Sequence, residues 1–202
     1  MGMFKDDSTP LASSPKINGE VTVKDSVWFT YKARIQAHNR LEWLDFHSQM
    51  LLVWYAILST VLGVLAIRYE HILGPDTDVL ATVLSVALLG VSLAVTNRDF
   101  RVRAMAMRKN YLQLQGLYRE LAPSTNPTLT QTQRYDELLA DSENHREIDD
   151  RIARVFSTGL TSRTPTALES CYALSWLGAR LIITITLYAL PLMAAVYAWV
   201  EK

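Results

Sequence analysis

The chain has 202 residues, half of them hydrophobic, and its 20 Lys and Arg residues balance 20 Asp and Glu residues. This length favours one compact unit, and a formal net charge of zero argues against a nucleic-acid-binding surface. Cys171 is the only cysteine, so an intramolecular disulfide is excluded.

Three apolar runs without a charged residue dominate the pattern: Leu51–Ile67, Val79–Val95 and Leu181–Val200. Each is about long enough to cross a hydrocarbon core of ~30 Å as a helix, which satisfies its own backbone hydrogen bonds in lipid. The first run starts too far from the N-terminus for a cleavable signal peptide. We therefore predict an all-α membrane protein: a transmembrane helical hairpin with a cytoplasmic helical stalk plus a third C-terminal transmembrane helix.

The N-terminal part of the chain divides at about residue 24. Residues 1–24 are rich in Ser, Pro, Gly and Asp, which predicts a mobile N-terminal segment. No Pro or Gly interrupts residues 25–62, which predicts one long helix that is half in the cytoplasm and half in the bilayer. One face of its first half is apolar, and the polar residues Lys32, Arg34, Gln36, Asn39 and Arg40 are expected to face elsewhere.

The helical hairpin with its stalk is predicted over residues 25–121, with spans at 50–67 and 79–95. Gly74-Pro75-Asp76 marks the turn between the spans. After Val95 the apolar spacing of three and four continues to Leu121 without a proline. A single helix from Val79 to Leu121 is therefore expected, with its cytoplasmic end packed against residues 25–48.

Residues 122–164 are predicted to form a cytoplasmic helical segment, and residues 165–202 a C-terminal helix with a span at 181–200. Thr130 and Gln133 have capping-box spacing, which predicts a helix start near Gln131. Thr164-Pro165 has the pattern of an N-cap followed by proline at the first helical position. Pro191 is expected to kink the third span, because it removes one backbone hydrogen bond.

The distribution of basic residues predicts the orientation. All but Arg68 and Lys202 of the 20 Lys and Arg residues fall on one side if the short loop and the C-terminal tip lie on the other. The positive-inside rule then predicts a multi-pass membrane protein with a cytoplasmic N-terminus and an external C-terminus. Trp54 and Tyr55 suit the interfacial depth at the start of the first span.

Small residues four apart recur in the first two spans, and such residues let helices approach closely in lipid. They serve either to pack the hairpin within one chain or to pack protomers around an oligomeric pore. The spans hold no acidic or basic residue, which argues against a proton relay or an ion-coupled transporter. The candidates for helix packing and oligomerisation are Ser59, Gly63, Ala81, Ser85, Gly90 and Ala94.

The most polar cluster is Glu143-Asn144-His145 with Asp149. His145 and Asp149 are four apart, like a metal-binding pair on a helix, but a solvated helix surface or a capping turn is the favoured reading. For His38 and His47 a surface or stalk-packing role is favoured over chemistry. Nucleotide-binding and hydrolase motifs are absent from the sequence. We therefore predict no catalytic, cofactor-binding or metal-binding residues, and no enzyme.

Several segments share a family pattern: Thr30-Tyr31-Lys32-Ala33-Arg34-Ile35, Arg40-Leu41, Arg98-Asp99-Phe100, the Tyr111–Leu121 helix, and Glu143-Asn144-His145 with Asp149. With these segments the sequence resembles the SLATT family, the two-transmembrane effector domain associated with bacterial nucleotide-synthesising and nucleotide-sensing conflict systems. The later segments resemble the subfamily linked to reverse transcriptases. The likeness covers roughly residues 25–200, with a third span beyond the two-span hairpin, and it implies a location in the bacterial inner membrane.

The resemblance implies a membrane effector of an anti-phage system that oligomerises to permeabilise the inner membrane when a partner senses infection. It implies as partners the lipid bilayer, further copies of the chain, and a reverse transcriptase or nucleotide-signalling protein. Direct nucleic-acid binding is not expected. The alternative is a non-lytic membrane anchor or scaffold that recruits a cytoplasmic partner through the stalk. The family-like cytoplasmic motif comprises Tyr31, Lys32, Arg34, Arg40, Glu143, Asn144, His145 and Asp149.

Overall fold

The computed structural model describes residues 22–69, 77–121, 127–157 and 165–200. Within these ranges the chain is helical and contains no strand. Three helical segments are long and apolar enough to cross a membrane, so the predicted all-α membrane fold is confirmed. The helices are α1 (Val23–Arg68), α2 (Thr77–Thr96), α3 (Phe100–Leu121), α4 (Leu129–Ala140), α5 (Glu147–Phe156) and α6 (Ala167–Val200).

Helix α1 is continuous over 46 residues, as predicted, and is about 69 Å long at 1.5 Å per residue. It begins earlier than expected, because the Thr22 hydroxyl accepts a hydrogen bond from the Asp25 amide at 3.2 Å and caps the helix. Val23 and Lys24, assigned above to the mobile segment, are therefore helical. Residues 1–21 and the predicted turn at 74–76 lie outside the described residues.

The expected single helix from Val79 to Leu121 is wrong, because the chain leaves helical geometry at residues 97–99 between α2 and α3. Asp99 has a φ of 47°, in the left-handed region that Asn and Asp adopt more readily than other non-glycine residues. Its carbonyl then accepts a hydrogen bond from the Arg103 amide at 3.0 Å, which starts α3. Apolar periodicity continues through this break and so hides it.

Two predicted helix starts are displaced by two residues. Helix α4 is capped by Thr128, whose hydroxyl accepts from the Gln131 amide at 3.3 Å while the Gln131 side chain accepts from the Thr128 amide at 2.9 Å. This capping box lies two residues before the expected one, so α4 begins two residues earlier than predicted. Likewise Thr166 and Glu169 bond reciprocally at the start of α6, after Pro165. Thr164 lies outside the described residues.

The polar helices pack into one unit, which we call the polar bundle: residues 23–48 of α1, α3, α4, α5, and residues 167–180 of α6. Helix α1 packs against α3 as predicted, and also against α5. The buried apolar side chains form three clusters along this unit. They are Val27, Tyr31, Leu114, Leu117, Leu121 and Leu138; Ala37, Leu41, Ala104 and Met107; and Ile148, Ile152 and Ala173.

The apolar segments are almost uncovered by the rest of the chain. The most apolar windows of the first two are 0% buried and that of the third is 6% buried. Helices α1 and α2 form the predicted hairpin, in which the Ser59 and Ser85 hydroxyls lie 3.2 Å apart. In a membrane these apolar surfaces face lipid or other protein, because the hydrocarbon core contains no water.

Candidate functional site

Six of the eight family-like residues lie in the connector between α4 and α5 or take part in hydrogen bonds at the helix ends that flank it. We use the term connector for residues 141–146, which link the C-terminus of α4 to the N-terminus of α5. Arg34 and Arg40 of α1 hold its two ends, and Glu143 and His145 lie within it. The polar groups of three helices therefore converge on one short segment.

Arg34 closes the C-terminal end of α4. Its guanidinium donates to the carbonyls of Leu138 at 3.1 Å and Leu139 at 3.2 Å, and to the side-chain oxygen of Asn110. The carbonyls in the last turn of a helix have no partner within the helix, and a cation there is favoured by the helix dipole. The Asn110 amide also donates to the Leu138 carbonyl, at 2.7 Å. Burial lowers the pKa of Arg34 below its usual value, yet an arginine stays charged.

Arg40 and Asp149 close the N-terminal end of α5. The Arg40 guanidinium donates to both Asp149 carboxylate oxygens, at 2.9 and 3.0 Å, and both side chains are buried. The same carboxylate accepts from the Arg146 amide at 3.0 Å and so caps α5. A carboxylate in the first turn interacts favourably with the helix dipole. The buried charge of Asp149 is thus met by one cation and one backbone donor.

The remaining connector residues are more exposed. Glu143 accepts hydrogen bonds from Arg103 of α3 at 2.9 to 3.1 Å, and Asn144 is exposed. His145 is half-buried, and its Nδ1 has no hydrogen-bond partner in the described part of the chain. Burial lowers the pKa of His145 below its ordinary value of 6.5; the charge of Arg34 acts in the same direction, whereas Asp150 and Asp149 oppose it.

The placement of the polar residues of α1 corrects the sequence analysis. Arg34 and Arg40 were expected to face away from the apolar side, but both are buried because their partners come from distant helices. Tyr31 lies away from the connector, in contact with the Tyr118 ring at 5.6 Å between centroids. The Lys32 ammonium lies 5.4 Å from the centroid of the Tyr31 ring.

The metal-pair arrangement of His145 and Asp149 is absent, since His145 precedes α5 and Asp149 pairs with Arg40. Of the two structural readings, the capping turn is found and the solvated surface is wrong for Asp149. No cluster of three metal-ligating side chains occurs within residues 22–69, 77–121, 127–157 and 165–200. His38 packs inside the bundle, with Nδ1 3.0 Å from the Ala104 carbonyl. His47 lies 3.4 Å from the Tyr188 hydroxyl.

Asn110, which binds the C-terminal end of α4, is a residue that sequence reasoning missed. It lies three residues after Met107 and four before Leu114, inside the apolar stripe of α3, and is fully buried. A polar side chain at such a position is a detectable signal, because buried amides need partners. Arg103 gave no comparable signal, since it is one of several arginines near the start of α3.

A second set of contacts joins α1 to α6 where the apolar segments begin. The Arg180 guanidinium lies 3.6 Å from the centroid of the Trp43 ring, a cation–π contact. Deeper, the Tyr55 hydroxyl donates to the Leu187 carbonyl at 2.9 Å, and Trp54 Nε1 donates to the Tyr188 carbonyl at 3.2 Å. Leu187 lies four residues before Pro191, which has no N–H to give it. Tyr55 therefore satisfies the carbonyl that the proline leaves free.

The small residues of the first two spans do not act as a set within the chain. Ser59 and Ser85 face each other across the hairpin, and Ala81 is half-buried. A Cβ atom added at Gly63 or Gly90 would meet nothing within 4 Å. Ala94 is exposed. Close packing at the two glycines is therefore not part of the single chain.

The comparisons with known proteins gave one finding. The model of SMODS and SLOG-associating 2TM effector domain family 5 matches residues 20–200. The match includes the third apolar helix, which the sequence analysis placed beyond the two-span pattern. No curated protein and no solved structure matches the chain.

Proposed function

Because the chain belongs to SMODS and SLOG-associating 2TM effector domain family 5, we propose that it is a non-catalytic membrane effector that self-associates to permeabilise the bacterial inner membrane. The signal comes from a partner that senses infection, a reverse transcriptase or a nucleotide-signalling protein. The effector role in conflict systems follows from the family. Self-association, permeabilisation and the identity of the partner go beyond what the family shows, and we propose them for this chain.

The observation that carries the proposal is the uncovered state of the three apolar helices below a well-packed polar bundle. Within the chain, the most apolar parts of the three helices are 0%, 0% and 6% buried. Their surfaces are therefore free to contact other copies of the chain. Gly63 and Gly90 lie on open faces of α1 and α2. Small residues on open faces favour helix association between chains in lipid.

Helix α1 supplies a direct mechanical link between signal and membrane. It contributes Arg34 and Arg40 to the two helix ends that flank the connector, and it runs without a break into the first apolar segment. A displacement of the connector by a bound partner would move these arginines, and the helix would carry that motion into the bilayer. The exposed side chain of Asn144 lies at the surface of the connector, where a partner has access.

The positive-inside rule supports a cytoplasmic polar bundle, since it holds the basic residues of α1, α3 and α5. In that orientation the N-terminus is cytoplasmic and the C-terminus external. The connector then lies in the compartment where a reverse transcriptase or nucleotide signal would be found.

The test is induced expression in bacterial cells together with the proposed partner under phage challenge, with a potential-sensitive dye and a dye-exclusion stain as readouts. We expect depolarisation with the wild-type chain. Gly63→Leu should abolish it, because a bulky side chain blocks close helix approach between copies, whereas the matched Gly63→Ala should retain it. Gly63→Ala leaves the single chain intact, since its added Cβ atom has free space.

The non-lytic scaffold predicts the opposite outcome: partner recruitment to the membrane without any loss of potential, in both glycine variants. An intact potential after recruitment of the partner and phage challenge would therefore contradict the effector proposal and support the scaffold.

A further inference from the structure

A cleft of about 390 Å³ lies between α1 and α6 at the level where both helices pass from the polar bundle into their apolar segments. Its walls change character along the helices. Arg40, Arg146 and Arg180 lie at the end nearer the bundle, and Leu51, Ile183 and Leu187 at the end nearer the apolar segments. The cleft is therefore amphipathic along its length.

The polar end carries excess positive charge. The charge of Arg40 is matched by Asp149, and one oxygen of that carboxylate also accepts a hydrogen bond from the Arg146 amide. Arg146 and Arg180 have no carboxylate within 4.0 Å among the residues that the structure describes; the Arg180 guanidinium stacks on Trp43 instead. Within the described ranges, two guanidinium groups thus face the cleft without a carboxylate in ion-pair distance. A guanidinium binds phosphate through paired hydrogen bonds, so a phosphate group is the natural complement.

The apolar end is open to the surroundings of the apolar helices. Ile183 is 60% exposed and Leu187 is 39% exposed. Arg180, Ile183 and Leu187 follow at spacings of three and four, so they lie on one face of α6 and span about 10 Å along its axis. This places apolar surface directly below the cationic groups, in the order in which a phospholipid presents its phosphate and its acyl chains.

We propose that this cleft binds an anionic phospholipid of the leaflet nearest the polar bundle, with its phosphate between Arg146 and Arg180 and an acyl chain along Ile183 and Leu187. Two unpaired cations favour a headgroup with net negative charge over a zwitterionic one, whose ammonium they would repel. A water-soluble phosphate compound would leave the apolar wall without a partner. The inference requires only the membrane location of the chain and is independent of the effector role.

The test is native mass spectrometry of the full chain in mild detergent, with phosphatidylglycerol and phosphatidylcholine of matched acyl chains as competing ligands. We expect wild-type protein to retain phosphatidylglycerol in preference. An interfacial arginine contributes about a fivefold gain in affinity for anionic lipid. Arg146→Gln with Arg180→Gln should therefore lower the preference by about 30-fold.

The matched control is Arg108→Gln with Arg119→Gln, which removes the same charge from exposed positions of α3 that lie outside the cleft and farther from the apolar segments, and which should leave the preference unchanged. If the Arg180 variant fails to fold, Arg146→Gln alone decides, because Arg146 is exposed and should still lose about fivefold. Equal retention of both lipids by wild type, an unchanged preference in the cleft variant, or equally tight binding of glycerol phosphate alone would each overturn the proposal.

Discussion

Arg34 and Arg40 are among the most buried side chains of the polar bundle, although both have the charge of surface residues. The family resemblance singles out both residues, but apolar periodicity predicts that they face away from the buried side of α1. Their partners lie 104 and 109 residues away in the chain, and for Arg34 these are helix-end carbonyls, which no residue pattern marks. Local periodicity therefore predicts the apolar core but not the polar links within it.

The pair of Arg40 and Asp149 gives the first prediction. Arg40→Met should destabilise the chain by about 3–5 kcal/mol, because it leaves the Asp149 carboxylate buried without its cation. Adding Asp149→Leu should recover all but about 1 kcal/mol, the cost of the lost cap on α5. Thermal unfolding of the full chain in detergent measures both, and Arg101→Met serves as the exposed control. A double variant as unstable as the single one would contradict this account.

His145 gives a prediction on pH. Its pKa is lower in the folded bundle than the ordinary value of 6.5, so the unfolded chain binds its proton more readily. The stability that depends on neutral His145 is complete above about pH 6.5 and is lost as the pH falls towards the folded-state pKa.

We therefore expect the melting temperature to fall between about pH 7 and about pH 5, and to fall less in His145→Gln, which has no proton to bind. Comparison of the two slopes isolates His145 from His38 and His47. Parallel slopes for wild type and variant would show that protonation of His145 does not destabilise the bundle.

At the scale of the helices, the sequence predicts the elements well where apolar runs and the absence of Pro and Gly decide the outcome. The long α1, the hairpin and the packing of α1 on α3 are all found. The misses have local causes. Asp99 breaks the expected long helix through a backbone angle that leaves the apolar spacing intact, and overlapping Thr-x-x-Gln patterns allowed two starts for α4.

The bond between Tyr55 and the Leu187 carbonyl gives a prediction at this scale. Tyr55→Phe should cost about 0.5–1.5 kcal/mol, because it leaves a carbonyl freed by Pro191 without a donor in an apolar environment. In a Pro191→Ala background the same substitution should cost little, since the alanine N–H then bonds to Leu187. Unfolding of the four proteins of this double-mutant cycle in detergent measures the coupling. Equal costs in both backgrounds would disprove the assigned role of Tyr55.

At the scale of the whole molecule, the polar bundle constrains the topology. It is built from segments before the first apolar helix, between the second and third, and at the start of the third. We propose that these segments share one side of the membrane and that the end of α6 lies on the other. The sequence predicts this division from its basic residues, and the contacts within the polar bundle support it.

The absolute orientation is the last prediction. Alkaline phosphatase, which is active only outside the cytoplasm, should be active when fused after Lys202 and inactive when fused after Ser157. The reason is that the basic residues of the bundle resist translocation. A cytoplasm-active reporter at the same two positions is the control and should give the reverse pattern. Activity of the phosphatase at Ser157 would place the bundle outside the cell.

The separation of 109 residues between Arg40 and Asp149 bears on biogenesis. The ribosome synthesises Arg34 and Arg40 first and then both helices of the hairpin. The carbonyl and carboxylate groups that bind these arginines are synthesised only afterwards. The nascent chain must therefore insert its hairpin while α1 still lacks its ionic partner. Folding of the polar bundle is consequently a late event, completed only after residue 149 has been synthesised.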